Sequence, residues 1–140
     1  MTQRQRLALA QRYESDGMKG SSPQRLLLAV FERLRSDLEG AIAAIGGGQV
    51  ESAHQLLLNA QELVYELDLA LDTDTWAGGS QLRTLYRHLM ATLMEANLLK
   101  SADLVNDCLL IVRPLEESWA EAHRRLAASD EAPPVPSAAP

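Results

Sequence analysis

The apolar residues between Val50 and Leu99 recur at steps of three and four, and this spacing constrains the fold more than any other feature. Steps of three and four place side chains on one face of an α-helix. The first stripe consists of Val50, Ala53, Leu57, Ala60, Val64, Leu67 and Leu71. After a short break at 72–79 the spacing resumes at Leu82, Leu85, Tyr86, Leu89, Leu93 and Ala96. A connection this short between two helices predicts an antiparallel αα-hairpin.

A second apolar stripe runs beside the first on each of these helices. It contains Leu56, Leu63 and Ala70 on the earlier helix and Met90, Met94 and Leu98 on the later one. Two interpretations stay open. Either these are central helices covered on both sides by the rest of a bundle, or part of the second stripe forms a groove for an amphipathic partner helix.

Two further helices flank the hairpin. Ser22-Pro23 predicts the start of the first, since serine is a favoured N-cap and proline a favoured first helical residue. Gly46-Gly47-Gly48 predicts its end. Ser101 or Asp103 begins the last helix, in which Pro114 should cause a kink or a split.

The composition supports helices over sheets, because 46% of the residues are apolar but only 4% are aromatic. We therefore predict an all-α fold, an antiparallel up-down four-helix bundle over residues 22–128. A mobile N-terminal arm (1–21) should precede it. A disordered, Pro- and Ala-rich tail (129–140) should follow it.

Charge and cysteine content exclude several classes of function. The net charge is −6 and no helix face carries a basic cluster, which disfavours nucleic-acid binding. The single cysteine, Cys108, excludes an intramolecular disulfide, which fits a reducing compartment. We predict that Cys108 is a buried apolar side chain. No apolar run reaches transmembrane length. These features predict a cytoplasmic protein that does not insert into membranes.

No constellation of residues predicts an enzyme, a cofactor or a metal site. Glu51-x-x-His54 has the spacing of a di-iron ligand pair, but such a site needs a second pair elsewhere in the bundle. An exposed His54 or His88 could serve phosphotransfer, so a signalling or adaptor module is the alternative function. Asn97 faces the apolar seam, where its amide either fixes the helix register or binds a partner's backbone. Trp76 is expected to cover one end of the bundle.

An ordered set of motifs resembles the family of the flagellar export chaperone FliS. Ser21-Ser22-Pro23-Gln24-Arg25-Leu26-Leu27 resembles the opening of that family, and Leu28-Ala29-Val30-Phe31-Glu32 its continuation, with Phe31 where tyrosine is common. Downstream, the similar segments are Ala60 to Leu67, Leu71-Asp72, Gly78-Gly79, Leu82 to Tyr86, Glu95-Ala96-Asn97 and Trp119. The resemblance covers about residues 18–125.

The resemblance implies a helical-bundle chaperone that binds the disordered C-terminal segment of flagellin and prevents premature polymerisation. It also implies delivery to the type III export apparatus, where FlhA recognises the complex. Tyr13 resembles a tyrosine of the family's N-terminal arm, which covers part of the binding surface. We predict flagellin contacts at Tyr13, Leu56, Leu63, Leu82, Leu85, Tyr86, Leu89, Leu93 and Asn97. Whether the free protein is a monomer or a homodimer stays open.

Overall fold

A computed structural model describes residues 22–71 and 78–131 of the chain, and these residues form four α-helices. The helices are α1 (Ser22–Gly46), α2 (Val50–Ala70), α3 (Gly79–Leu99) and α4 (Ala102–Glu131). No strand occurs within these two ranges, so the predicted all-α class is confirmed. The predictions about the arm with Tyr13, about Trp76 and about residues 132–140 lie outside the described residues.

Each helix packs against two neighbours, as in the predicted bundle. The first helix contacts α2 and α4, and α3 contacts the same two helices from the opposite side. Two ion pairs show that α1 and α4 run antiparallel, because Arg35 pairs with Glu116 while the later Glu39 pairs with the earlier Arg113. This cyclic order of neighbours is that of an up-down four-helix bundle.

The helix ends follow from local backbone chemistry. Gly48 adopts a φ of 74°, in the left-handed region where glycine has no steric cost, and this residue follows the end of α1. Lys100 adopts a φ of 50° after α3, and its Nζ donates to the carbonyl oxygen of Asn97 at 2.6 Å. This left-handed lysine has no signal in the sequence, since glycine or asparagine is the usual residue there.

The structure shifts the predicted start of α3 and selects one of the two residues predicted to begin α4. Gly78 is the N-cap of α3, so the helix begins one residue before Ser80, the predicted cap. Ser101, rather than Asp103, caps α4, because the Leu104 amide donates to Ser101 Oγ at 3.2 Å. The prediction of α2 was within one residue at each end, with Gln49 and Leu71 as its caps.

The last helix differs from the prediction in two ways. It is continuous through Pro114, so the predicted split does not occur. It also extends to Glu131, so residues 129–131, which were predicted to belong to the tail, are helical. The proline therefore removes one backbone bond without ending the helix.

The core lies on the axis of the bundle and receives side chains from all four helices. Its large members are mostly leucines, joined by one phenylalanine and one tyrosine. They are Phe31, Leu34, Leu38, Leu57, Leu63, Leu67, Leu82, Tyr86, Leu89, Leu93 and Leu109. Most of these residues belong to the stripes that the sequence predicted.

Candidate functional site

Most of the residues predicted to contact flagellin lie in the core of the described bundle. Leu89 and Leu93 are completely buried, and Asn97 is nearly so. Leu63, Leu82 and Tyr86 are also buried, whereas Leu56 and Leu85 are half-buried and pack against the core. The buried side chains expose little or none of their surface, and their contact with a partner stays a prediction.

The second stripe behaves differently on the two helices of the hairpin. On α2 it faces α1: a Cβ added to Gly40 would lie 3.2 Å from Leu56 Cδ1. On α3 it reaches the surface, where the side chains of Met94 and Leu98 are 56% and 83% exposed. On α3 part of the second stripe is therefore exposed apolar surface, whereas on α2 Leu56 and Leu63 pack within the bundle. Whether a partner helix binds to the exposed part stays a prediction.

Exposed apolar side chains on α2 run parallel to this α3 stripe. Tyr65 and Leu69 are exposed, and Leu58 is half-buried. Residues spaced by seven and four lie on one helix face. We use the term outer face for the surface that carries Leu58, Tyr65, Leu69, Met90, Met94 and Leu98.

Two polar contacts fix the register between α2 and α3. Arg83 Nε donates to Asp68 Oδ1 at 3.1 Å, and His54 Nδ1 lies 3.1 Å from Asn97 Oδ1. Asp68 and His54 are as many residues apart as Arg83 and Asn97, so the two helices run antiparallel and in step. This register places Met94 level with Leu57 and Met90 between Leu58 and Tyr65 along the bundle axis, so the exposed apolar residues of the two helices overlap in height.

The contact between His54 and Asn97 explains the buried amide. Because Asn97 Oδ1 accepts the hydrogen bond, His54 Nδ1 carries the proton. A buried amide oxygen without a partner would cost stability, and the cross-helix bond provides one. This geometry supports the register interpretation of Asn97. The contact involves only Nδ1 of His54, so it does not decide between this role and phosphotransfer at Nε2.

Other candidate groups lie in unreactive surroundings. Burial raises the pKa of the Cys108 thiol to about 12, so the thiol stays protonated at neutral pH and serves as an apolar side chain, as predicted. Burial likewise raises the pKa of Tyr86 to about 12, with the nearby Asp68 carboxylate as a second cause. Within the described residues, no three His, Cys, Asp or Glu side chains converge to hold a metal ion.

A comparison with known families identifies the group to which this bundle belongs. The family model for the flagellar protein FliS matches residues 5–126, which span α1 to α3 and most of α4. The chain belongs to the FliS family. This confirms the resemblance carried by the ordered motifs, and the match begins inside the predicted arm. No curated protein matches the chain significantly.

Membership of the FliS family supports a chaperone role in flagellum assembly and agrees with the interpretation that the protein is not an enzyme. Among the four described helices, none has the apolar length needed to cross a bilayer. Among the large apolar side chains that are exposed in the described residues, Tyr65, Leu69, Met94 and Leu98 lie on the outer face, whereas Val50, Leu99 and Leu110 lie elsewhere. The sequence pattern predicted the α3 part of the outer face as a second stripe. It did not indicate that Tyr65 and Leu69 of α2 lie beside that stripe.

Proposed function

We propose that this protein is an export chaperone that binds the C-terminal segment of flagellin on its outer face. The bound segment cannot polymerise prematurely. The complex is then delivered, on the cytoplasmic side, to FlhA in the type III export apparatus. The observation that carries this proposal is the exposed apolar surface of a FliS-family bundle, with Leu98 83% exposed. Apolar patches of this kind mark interaction sites more often than scattered surface leucines do.

The chemistry of the outer face suits a segment that folds as it binds. Two rows of apolar side chains, one on α2 and one on α3, provide the kind of surface on which an amphipathic helix can lay its apolar face. Met90 and Met94 belong to the α3 row, and methionine adapts its shape to different apolar partners. A disordered segment loses conformational entropy on binding, which limits affinity and eases later release.

The remaining predicted contacts take a supporting place in this proposal. Half-buried Leu85 and Leu56 can contact a partner at the edges of α3 and α2, whereas Leu89 and Leu93 support α3 from below. In this proposal, Tyr13 and the arm cover the binding surface until flagellin displaces them, as the resemblance to the family implies. That placement remains part of the proposal.

Calorimetric titration with the C-terminal segment of flagellin tests the proposal. Wild-type protein should bind one segment, with a negative heat-capacity change and a gain in helicity. Leu98→Glu should weaken binding by roughly tenfold or more, because it places a charge within an apolar contact. The matched control is Leu110→Glu on α4, which changes a leucine that is 62% exposed but lies outside the outer face.

The outcomes separate the site from the function. Equal weakening by both substitutions, or by neither, would remove the outer face as the site while leaving the function intact. Absence of binding by folded wild-type protein would remove the proposed function itself. Delivery is tested by adding the cytoplasmic part of FlhA, which should bind the complex more tightly than the free chaperone.

A further inference from the structure

The two halves of α4 on either side of Pro114 differ in how they are held. Among the described side chains of this helix, those that are fully buried all precede the proline, and they are Val105, Cys108, Leu109 and Val112. From 115 to 129, no described side chain of α4 is buried. The first half is therefore part of the core, while the second half lies on the periphery of the bundle.

The second half also extends beyond one of its neighbours. The two helices α3 and α4 meet at the turn around Lys100 and Ser101, but α4 has 30 residues and α3 has 21. The extra nine residues correspond to about 13 Å of helix at 1.5 Å per residue. Along these last nine residues, α4 extends past the end of α3 and no longer packs beside it.

Pro114 weakens the helix at the border between the two halves. A proline inside a helix has no amide hydrogen, so the carbonyl of Leu110 loses its usual donor, and the ring crowds that carbonyl. Ion pairs to α1 lie on both sides of this point, Arg113 with Glu39 before it and Glu116 with Arg35 after it. The second pair, at 2.6 Å, ties the peripheral half to the bundle.

The peripheral half contains one side chain that is poorly satisfied when the helix is docked. The Nδ1 atom of His123 is shielded from solvent and has no hydrogen-bond partner among the described residues. A buried polar atom without a partner costs free energy that solvent would restore on opening. Docking of this half is therefore weaker than its apolar contacts alone would make it.

We propose that residues 115–131, which we call the strap, open and close as a unit about Pro114 while residues 102–113 stay in the core. The Arg35–Glu116 ion pair acts as the latch of this movement. Opening uncovers the half-buried Leu115, Trp119 and Leu126 and the N-terminal half of α1. This conformational device does not depend on the identity of the proposed cargo.

Amide hydrogen exchange of the full-length protein, resolved by residue, tests the proposal. A helix as short as the strap is marginal in water once it leaves the bundle, so the open strap loses its helical hydrogen bonds. Amides from 116 to 127 should therefore exchange at one common rate, which is faster than the rate for 105–112. Pro114→Ala restores the missing bond and should slow the strap by about a hundredfold, the cost of a proline in a helix interior. The rates for 105–112 should stay nearly unchanged.

A second pair of variants tests the latch without altering the backbone. Glu116→Gln should accelerate exchange of the strap by about tenfold, because it removes a charge-assisted bond to Arg35. Glu117→Gln is the matched control, since Glu117 is exposed and adjacent in sequence. Equal effects of the two variants would contradict the latch.

Three results would overturn the strap itself. One is exchange at the same rate throughout α4, which would show a single unit. Another is a gradient of rates that rises steadily towards Glu131, which would show fraying from the helix end. The third is an unchanged rate for 116–127 in Pro114→Ala.

Discussion

Asp37 is a carboxylate on α1 that is only 4% exposed and lies among core side chains. Its Oδ1 accepts a hydrogen bond from Arg33 Nε at 3.0 Å, but its Oδ2 has no partner among the described residues. Burial is the main cause that raises the pKa of this carboxyl above its ordinary value, and the bond from Arg33 opposes it. The ionised form is therefore less favourable in the folded chain than in the unfolded one.

We expect Asp37→Asn to gain stability relative to wild type as the pH rises. Because the folded pKa is raised, the favourable contribution of Asp37 is present below its unfolded pKa and is lost as the pH passes through the folded value. The amide in the variant does not titrate. Urea unfolding between about pH 3 and pH 7 measures the difference. A fall in the free energy of unfolding of Asp37→Asn relative to wild type as the pH rises towards neutral would contradict this account.

The arrangement around Asp37 could not be predicted from the sequence. Helical periodicity predicts which face of α1 is buried, and Asp37 lies beside Leu34 and Leu38 on that face. From the sequence alone, a charged residue next to the apolar stripe is expected to be exposed to solvent, because buried carboxylates are uncommon. Only the close approach of a neighbouring helix excludes water from one of its oxygens.

Arg83 joins the two helices of the hairpin at one end. Its Nε donates to the Asp68 carboxylate, and its Nη2 donates to the carbonyl oxygens of Asp68 and Leu71 at 3.0 and 3.2 Å. The last carbonyls of a helix have no donor within that helix. A side chain from α3 therefore completes the C-terminal end of α2.

We expect Arg83→Ala to lower the free energy of unfolding by about 1–2 kcal/mol, since the carbonyls and Asp68 lose their donor while remaining partly open to water. Arg87→Ala, one turn further along α3 at an exposed position, should change it by less than about 0.5 kcal/mol. Thermal and urea unfolding followed by circular dichroism measure both. Equal effects would show that the contacts of Arg83 do not stabilise the hairpin.

Apart from the C-terminal end of α4, the helix ends could be predicted to within a residue or two, because period, caps and glycines act locally. Ser101, Gly48 and the stripes of α2 and α3 all agree with the structure. The continuity of α4 was not predictable from Pro114 alone, since packing against α1 through Arg35 and Glu116 holds the helix together. Local propensity does not describe such tertiary contacts, so Pro114 by itself could not indicate whether the helix continues.

At the scale of the whole molecule, the sequence could not separate the core from the exposed apolar surface. Leucines at Leu89, Leu93 and Leu98 all satisfy helical spacing on α3, yet the first two are fully buried and the third is largely exposed. The difference arises from which sides of α3 are covered by α2 and α4. That property belongs to the assembled bundle, so the predicted contacts fell mostly on the core.

A matched pair of leucine substitutions on α3 tests this division. Leu93→Ala should lower the free energy of unfolding by about 2–5 kcal/mol, because it leaves a cavity in a packed core. Leu98→Ala should change it by less than about 0.5 kcal/mol, because its side chain has little contact to lose. Both are measured by urea unfolding under identical conditions.

The two variants should also separate stability from binding. Under conditions in which both are folded, Leu98→Ala should weaken flagellin binding more than Leu93→Ala, although it is the more stable protein. Helix-in-groove binding depends on surface anchors, whereas Leu93 only positions the helix that carries them. Should Leu93→Ala weaken binding more while retaining wild-type helicity, the partner would have to enter the bundle interior, and the predicted contacts at Leu89 and Leu93 would then be the site.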